Sequence, residues 1–194
     1  MHLFDGGPRP LAGEQTLGQF ALVSYIPDPL ARFLDDLRRE LTPGCNPHAH
    51  VTILPPRPIH DEIKDTVQQI TNQIRSVPAF WTELGEIAVF KESNVIYVEL
   101  SQGTEELRKL YRALNCGCLT YTEPFPYHPH ITIGQNLLPD DVDRMAELAR
   151  QRWADYSGPR GFMVSVLSFV QHVAPSIWAD VAAIPLGAGV AMAT

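Results

Sequence analysis

The sequence predicts an α+β fold built as a two-lobed, pseudo-symmetric duplicated unit, with antiparallel-rich sheets, helices outside and a central groove. Three observations carry this. The segment HAHVTI at position 48 recurs as HPHITI at position 128, a shift of 80 residues, and Ile96-Tyr97 recurs as Ile177-Trp178 at a shift of 81. Short β-branched apolar runs alternate with segments whose apolar residues repeat at helical spacing. Seventeen prolines and thirteen glycines in 194 residues cut the chain into many short elements. Each half is smaller than an ordinary domain, so the two lobes are expected to share one core, with a cleft between them where a ligand can bind.

Taken in order, residues 1–14 (MHLFDGGPRPLAGE) are Gly- and Pro-rich and predict an irregular leader before a bilobal domain over 15–187. Phe20 to Ile26 is an apolar strand stopped by Pro27. Leu30, Phe33, Leu34, Leu37 and Leu41 mark a helix, with Asp28 as N-cap and Pro29 at the first helical position. His48 to Leu54 is a strand ended by Pro55-Pro56, and Asp61 to Ile74 is a second helix. Phe80–Phe90 and Val95–Leu100 flank a four-residue turn and form a hairpin. Thr104 to Leu114 is a helix, followed by the Pro-broken aromatic loop YTEPFPY and the strand HPHITIG. Pro139 to Tyr156 is the last helix, Phe162–His172 and Ile177–Leu186 a final strand pair, and 188–194 a frayed tail.

Composition excludes several function classes. Hydrophobic residues at 45% and charged residues at 19% fit a globular protein and exclude wholesale disorder. A net charge of −7 argues against binding to duplex DNA or anionic membrane by bulk electrostatics, but allows a small phosphate-bearing substrate held by a few groups. No apolar run approaches the ~20 residues of a membrane span, and the start lacks the basic and apolar regions of a signal peptide. Three cysteines are too few for a disulfide framework and point to reduced thiols in the cytoplasm.

The chemistry concentrates in the repeat. Four of the seven histidines fall in the two copies of His-x-His-x-Thr-Ile. On a strand, side chains alternate faces. His48, His50 and Thr52 therefore share one face, as do His128, His130 and Thr132, while Val51, Ile53, Ile131 and Ile133 point into the core. Duplication would bring two imidazoles and two hydroxyls together across the cleft. Imidazole titrates near neutrality, so one histidine can act as base and another as acid. A phosphodiester needs both, one to take a proton from water and one to protonate the leaving oxygen. Threonine hydroxyls can donate to the non-bridging oxygens. This scheme requires no metal or other cofactor.

HVTI, HITI, the flanking HPHITIG and the hairpin LGEIAVFKESNVIYVEL together resemble the signature of the 2H phosphoesterase superfamily, in its 2'-5' RNA ligase-like branch. The resemblance spans roughly 19–186. It implies a groove lined by the two His-x-Thr strands, with His50 and His130 as the acid–base pair and Thr52 and Thr132 as phosphate binders. It further implies metal-free opening or cleavage of 2',3'-cyclic phosphates and 2'-linked phosphodiesters, on RNA ends or small nucleotides, with 2'-5' ligation as the reverse reaction.

Further expectations come from single residues. Arg57, five residues after the first motif, could reach a phosphate. Tyr127, with Phe125 in the loop before the second motif, could stack a base. His48 and His128 could support the inner pair from the cleft mouth. The expected partner is a small nucleotide or RNA end, with neither duplex DNA nor membrane, and the chain is expected to be a monomer. Two alternatives stand beside this reading. One is a nucleotide or RNA-end binding module without turnover. The other is a metalloprotein ligated through the two H-x-H pairs, which gives no reason for the threonine that follows each pair. Cys116 and Cys118 form a C-x-C without a second thiolate pair and read as ordinary buried thiols.

Overall fold

The computed structural model describes residues 18–174 and 177–187; the expected leader 1–14 and tail 188–194 lie outside the described residues. The chain runs β1 (Gln19–Tyr25), α1 (Leu30–Leu41), β2 (His50–Pro58), α2 (Ile63–Ile74), β3 (Phe80–Phe90), β4 (Val95–Gln102), α3 (Thr104–Leu114), a 3-10 turn (Gly117–Leu119), β5 (Ile131–Gly134), α4 (Pro139–Asp155), β6 (Gly161–Val164), β7 (Val166–Ala174) and β8 (Ile177–Pro185). Two four-stranded sheets form, in the orders β2-β1-β7-β8 and β5-β4-β3-β6. Every pairing is antiparallel.

The duplication is visible in this layout. β1, α1 and β2 of one sheet correspond to β4, α3 and β5 of the other, and in each the motif strand lies at the sheet edge. Leu30, Leu34, Leu37 and Leu41 bury one stripe of α1, and Leu107, Leu110 and Leu114 bury the matching stripe of α3. These stripes meet Val51 and Ile53 of β2 and Ile131 and Ile133 of β5 in one buried cluster drawn from both sheets. Period-two alternation thus puts the apolar half of each motif into the core and leaves the polar half on the opposite face. α3 begins after Gly103, whose φ of 88° and closeness to the Trp81 carbonyl, 2.9 Å from where a Cβ would sit, leave glycine the natural residue there. α4 starts on Pro139 with Asp140 and Asp141 in its first turn, as the helix dipole favours.

Two expectations are corrected. β2 does not stop at Pro55-Pro56 but runs through both to Pro58, pairing Phe20 with Arg57 and Gln19 with Pro58. An edge strand tolerates proline because one side of it needs no N–H donor. The expected single strand over Phe162–His172 is two. β6 pairs with β3 and β7 with β1, so the chain crosses between the sheets at Ser165, whose carbonyl accepts from the Leu186 N–H at 2.8 Å. Among the described residues, no helix is long and apolar enough to cross a membrane.

Candidate active site

His50 opens β2, and His130 stands one residue before β5. Both are half-buried, as are Thr52 and Thr132, while Val51, Ile53, Ile131 and Ile133 are buried between them. The two imidazoles are held in the same way. His50 Nδ1 lies 2.6 Å from the carbonyl of His48, and His130 Nδ1 lies 2.7 Å from the carbonyl of His128. A carbonyl only accepts, so each Nδ1 carries the proton and each neutral ring keeps Nε2 as a lone-pair acceptor. The spacing explains this: a histidine at a strand entrance can turn its ring back onto the carbonyl two residues before it.

Aromatic residues wall the two rings differently. Tyr25 of β1 stands edge-on to His50 at 6.3 Å and stacks on exposed His48 at 3.7 Å, with its hydroxyl donating to Asp180 at 2.7 Å. His130 stands edge-on to the stacked pair Phe90 and Tyr97, at 5.0 and 5.2 Å, and His128 meets the same pair. Burial lowers the affinity of both inner rings for a proton. The His50 imidazole is pulled down to about 4, mainly by desolvation, with the Arg38 guanidinium and the His48 and His130 rings pushing the same way against the bond to the His48 carbonyl. His130 is lowered by desolvation too, with His128 adding to it.

The lobes also touch directly at the motifs. Tyr127 donates its hydroxyl to the carbonyl of Thr52 at 2.8 Å, and Arg38 Nη1 donates to the carbonyl of Thr132 at 3.3 Å. Two half-buried imidazoles, each with Nε2 left over from its anchor, stand beside two threonines on edge strands that meet. This arrangement suits paired proton transfer around one small anionic group.

A family model described as "2'-5' RNA ligase superfamily" matches residues 26–175. The chain belongs to the 2'-5' RNA ligase superfamily. Among curated relatives, the "Putative phosphoesterase" of Bacillus thuringiensis (strain Al Hakam) is 26% identical over 136 residues, covering 65% of this chain and 76% of the relative. The relative of the same name from Bacillus anthracis (strain CDC 684 / NRRL 3495) matches to the same extent. Among solved structures, E. coli LigT complexed with NADP+ superposes with a TM-score of 0.61 at 17% identity, over 88% of this chain and 98% of that one. TT0787 of Thermus thermophilus gives 0.62 at 16% identity, over 87% and 98%. These superpositions establish the two-lobed α+β fold of the superfamily.

Two of the expected ligand-binding residues are engaged by partners within this superfamily member. Arg57 is 1% exposed. Its guanidinium donates to the carbonyls of Pro55 and Leu119, to Asn115 Oδ1 and, at 2.6 Å, to Glu123. A side chain closed off by its own partners holds the loop after α3 and has no access to a phosphate. Tyr127 spends its hydroxyl on Thr52 and one ring face on Tyr111, stacked at 4.2 Å, so it anchors the loop instead of presenting a platform for a base. Phe125 is the exposed ring of that loop. His48 and His128 supply the anchoring carbonyls from their backbones; their side chains lie on the aromatic walls.

Arg38, Tyr25, Phe90 and Tyr97 were not among the candidate residues. Arg38 carried a signal: it falls four residues after Leu34 and three before Leu41, on the flank of the buried stripe of α1, where a charged residue needs a reason.

The lowered pKa of His50 makes a stability prediction. The unfolded chain takes up this proton near 6.5, the folded chain only near 4. The contribution of neutral His50 is therefore complete above pH 6.5 and is lost as pH falls toward 4. Between pH 7.5 and 5, wild type should lose about 2 kcal/mol more unfolding free energy in urea than His50→Gln. Identical pH dependence in the two proteins would contradict the desolvated, neutral imidazole.

Proposed function

We propose that this protein is a metal-independent phosphoesterase that opens 2',3'-cyclic phosphates, or cleaves 2'-linked phosphodiesters, on RNA ends or small nucleotides. His50 and His130 are the acid–base pair, and Thr52 and Thr132 bind the phosphate. The observation that carries this is the matched anchoring of the two rings through Nδ1, which leaves two Nε2 atoms for proton transfer on strands that meet.

One imidazole takes a proton from water as its oxygen bonds to phosphorus. The other gives a proton to the ribose oxygen as its bond to phosphorus breaks. The threonine hydroxyls donate to the non-bridging oxygens, whose charge grows in the transition state. Both rings are neutral at pH 7 without ligand, so the bound phosphate anion must raise one of them into the acid form; an opposite charge within a few ångströms does this. The same relay run backwards joins a 2' oxygen to phosphorus.

Membership of the superfamily, and relatives that carry the name phosphoesterase, support phosphoester chemistry. E. coli LigT, a fold neighbour, has been solved with phosphate, 3'-AMP and ATP, which supports a nucleotide-type ligand. The three cysteines are unpaired, in keeping with a cytoplasmic protein. Among the described residues no three His, Cys, Asp or Glu side chains gather as metal ligands.

The test is a turnover screen in excess chelator over 2',3'-cyclic mononucleotides, an oligonucleotide ending in a cyclic phosphate and 2'-5' oligoadenylate, reading which ribose oxygen is released. Turnover of at least one, unaffected by chelator, is expected. Binding without turnover supports the binding-module alternative. Turnover lost in chelator and restored by one added metal overturns the mechanism.

A further inference from the structure

Each motif strand is the edge of its sheet, and an edge leaves carbonyls without a strand partner. At both motifs the carbonyl of the threonine is met by a side chain from the opposite lobe. Arg38, on α1 of the first lobe, donates Nη1 to Thr132 of the second motif. Tyr127, in the loop that leads into β5, donates to Thr52 of the first. The two bonds cross the same seam in opposite directions, and their carbonyls belong to the two residues assigned to the phosphate.

Both donors are held from behind. Tyr127 is stacked on Tyr111 of α3, and the loop that carries it is tied to β2 by Arg57 and Glu123. Arg38 stands on the flank of the buried stripe of α1, and its guanidinium reaches the seam from there. Its Nε–H is buried and has no acceptor among the described residues. A partly desolvated arginine with one long bond to a backbone carbonyl, and only Asp35 and Cys45 beside it, is costly as mere structure, because methionine would fill the same space without the desolvation. Its charge and its fork therefore call for a role.

We propose that Arg38 and Tyr127 form a reciprocal clasp that sets the spacing of the two His-x-Thr strands, and that the fixed charge of Arg38 beside the seam biases His50 toward the base role. Both are positioning residues that act through the motifs. The proposal rests on the acid–base reading above. The groups facing His50 are Arg38 from α1, His48 from its own strand entrance, His130 ahead of β5 and the Tyr25 ring from β1. Around Arg38 stand Asp35 and Cys45, which favour its charged form while burial opposes it. Removing the positive charge lets His50 hold its proton more readily, which moves the acid limb of activity to higher pH.

Full-length Arg38→Met, Arg38→Lys and Tyr127→Phe separate charge from geometry. The His50 ring is titrated by NMR without ligand, and kcat and KM are measured on 2',3'-cyclic AMP. In Arg38→Met the His50 midpoint should rise by about one pH unit. It should stay near wild type in Arg38→Lys and Tyr127→Phe, which keep the charge. All three variants should lose kcat, about tenfold in Tyr127→Phe, with KM within about twofold. Amide exchange over 50–52 should quicken in Tyr127→Phe, and over 131–133 in both Arg38 variants. An unmoved His50 midpoint in Arg38→Met overturns the electrostatic half. Wild-type kcat and wild-type exchange in folded Tyr127→Phe and Arg38→Lys overturn the clasp. If wild type fails to turn over any substrate, the functional reading falls, while the titration and exchange still decide the clasp.

Discussion

Replacing His50 or His130 with alanine should lower kcat by ~10²–10⁴-fold each, since each change removes one proton transfer from a reaction that needs two. The double variant should fall well short of the product of the two losses, because a base whose acid is gone has little left to contribute. Thr52→Val and Thr132→Val should cost less than either histidine, as each removes one hydrogen bond to the phosphate and leaves both proton transfers in place. His48→Ala and His128→Ala should stay near wild type for a structural reason: the anchor of each inner ring is a backbone carbonyl, which alanine retains. Steady-state kinetics on the best substrate of the screen decides this. Loss in His48→Ala or His128→Ala as deep as in the inner pair would mean that the wrong histidines carry the protons.

Arg57→Met should unfold the protein far more readily than it impairs chemistry. Its guanidinium is sealed beside Glu123, ties Asn115 and Leu119 to β2, and lies 5.7 Å over the Tyr121 ring. Removing it strands a largely buried carboxylate, a loss on the order of 3–5 kcal/mol. That corresponds to a drop in Tm of about 10 °C for a chain of this size. Glu123→Gln should cost less, because the amide still accepts from Arg57. Pairing Arg57→Met with Glu123→Met should recover much of the loss, since no buried charge then remains. Thermal unfolding of the four proteins checks this. A fallen kcat/KM at unchanged Tm would instead return Arg57 to the phosphate.

The motif strands were legible because alternation is a local property: the residues that follow His50 and His130 reveal which face each side chain takes. The duplication was legible because HAHVTI at 48 recurs as HPHITI at 128 on the two matching edge strands; the Ile96-Tyr97 and Ile177-Trp178 recurrence is not part of it, since the first lies on β4, the counterpart of β1, and the second on the edge strand β8. The break between β6 and β7 was not legible. Phe162–His172 reads as one apolar run, and only pairing with two different sheets divides it at Ser165, a tertiary event that a single serine with no glycine or proline beside it does not announce. The passage of β2 through two prolines was hidden for a related reason, since edge position is set by the partner strand. Arg57 and Tyr127 were legible as residues near the motifs but not as anchors, because Asn115, Leu119 and Glu123 reach Arg57 from about 60 residues away. Proximity in sequence to a motif histidine is weak ground for a ligand role when long-range partners can claim the side chain first.

The pH dependence of kcat/KM in wild type and the two single-histidine variants tests most directly whether the two rings divide the proton work. Wild type should give a bell, one limb for the group that must be deprotonated and one for the group that must be protonated. His50→Ala and His130→Ala should each abolish a different limb from what activity remains. A full bell surviving in either variant, or near-wild-type turnover without one of the two imidazoles, would contradict the paired-histidine mechanism.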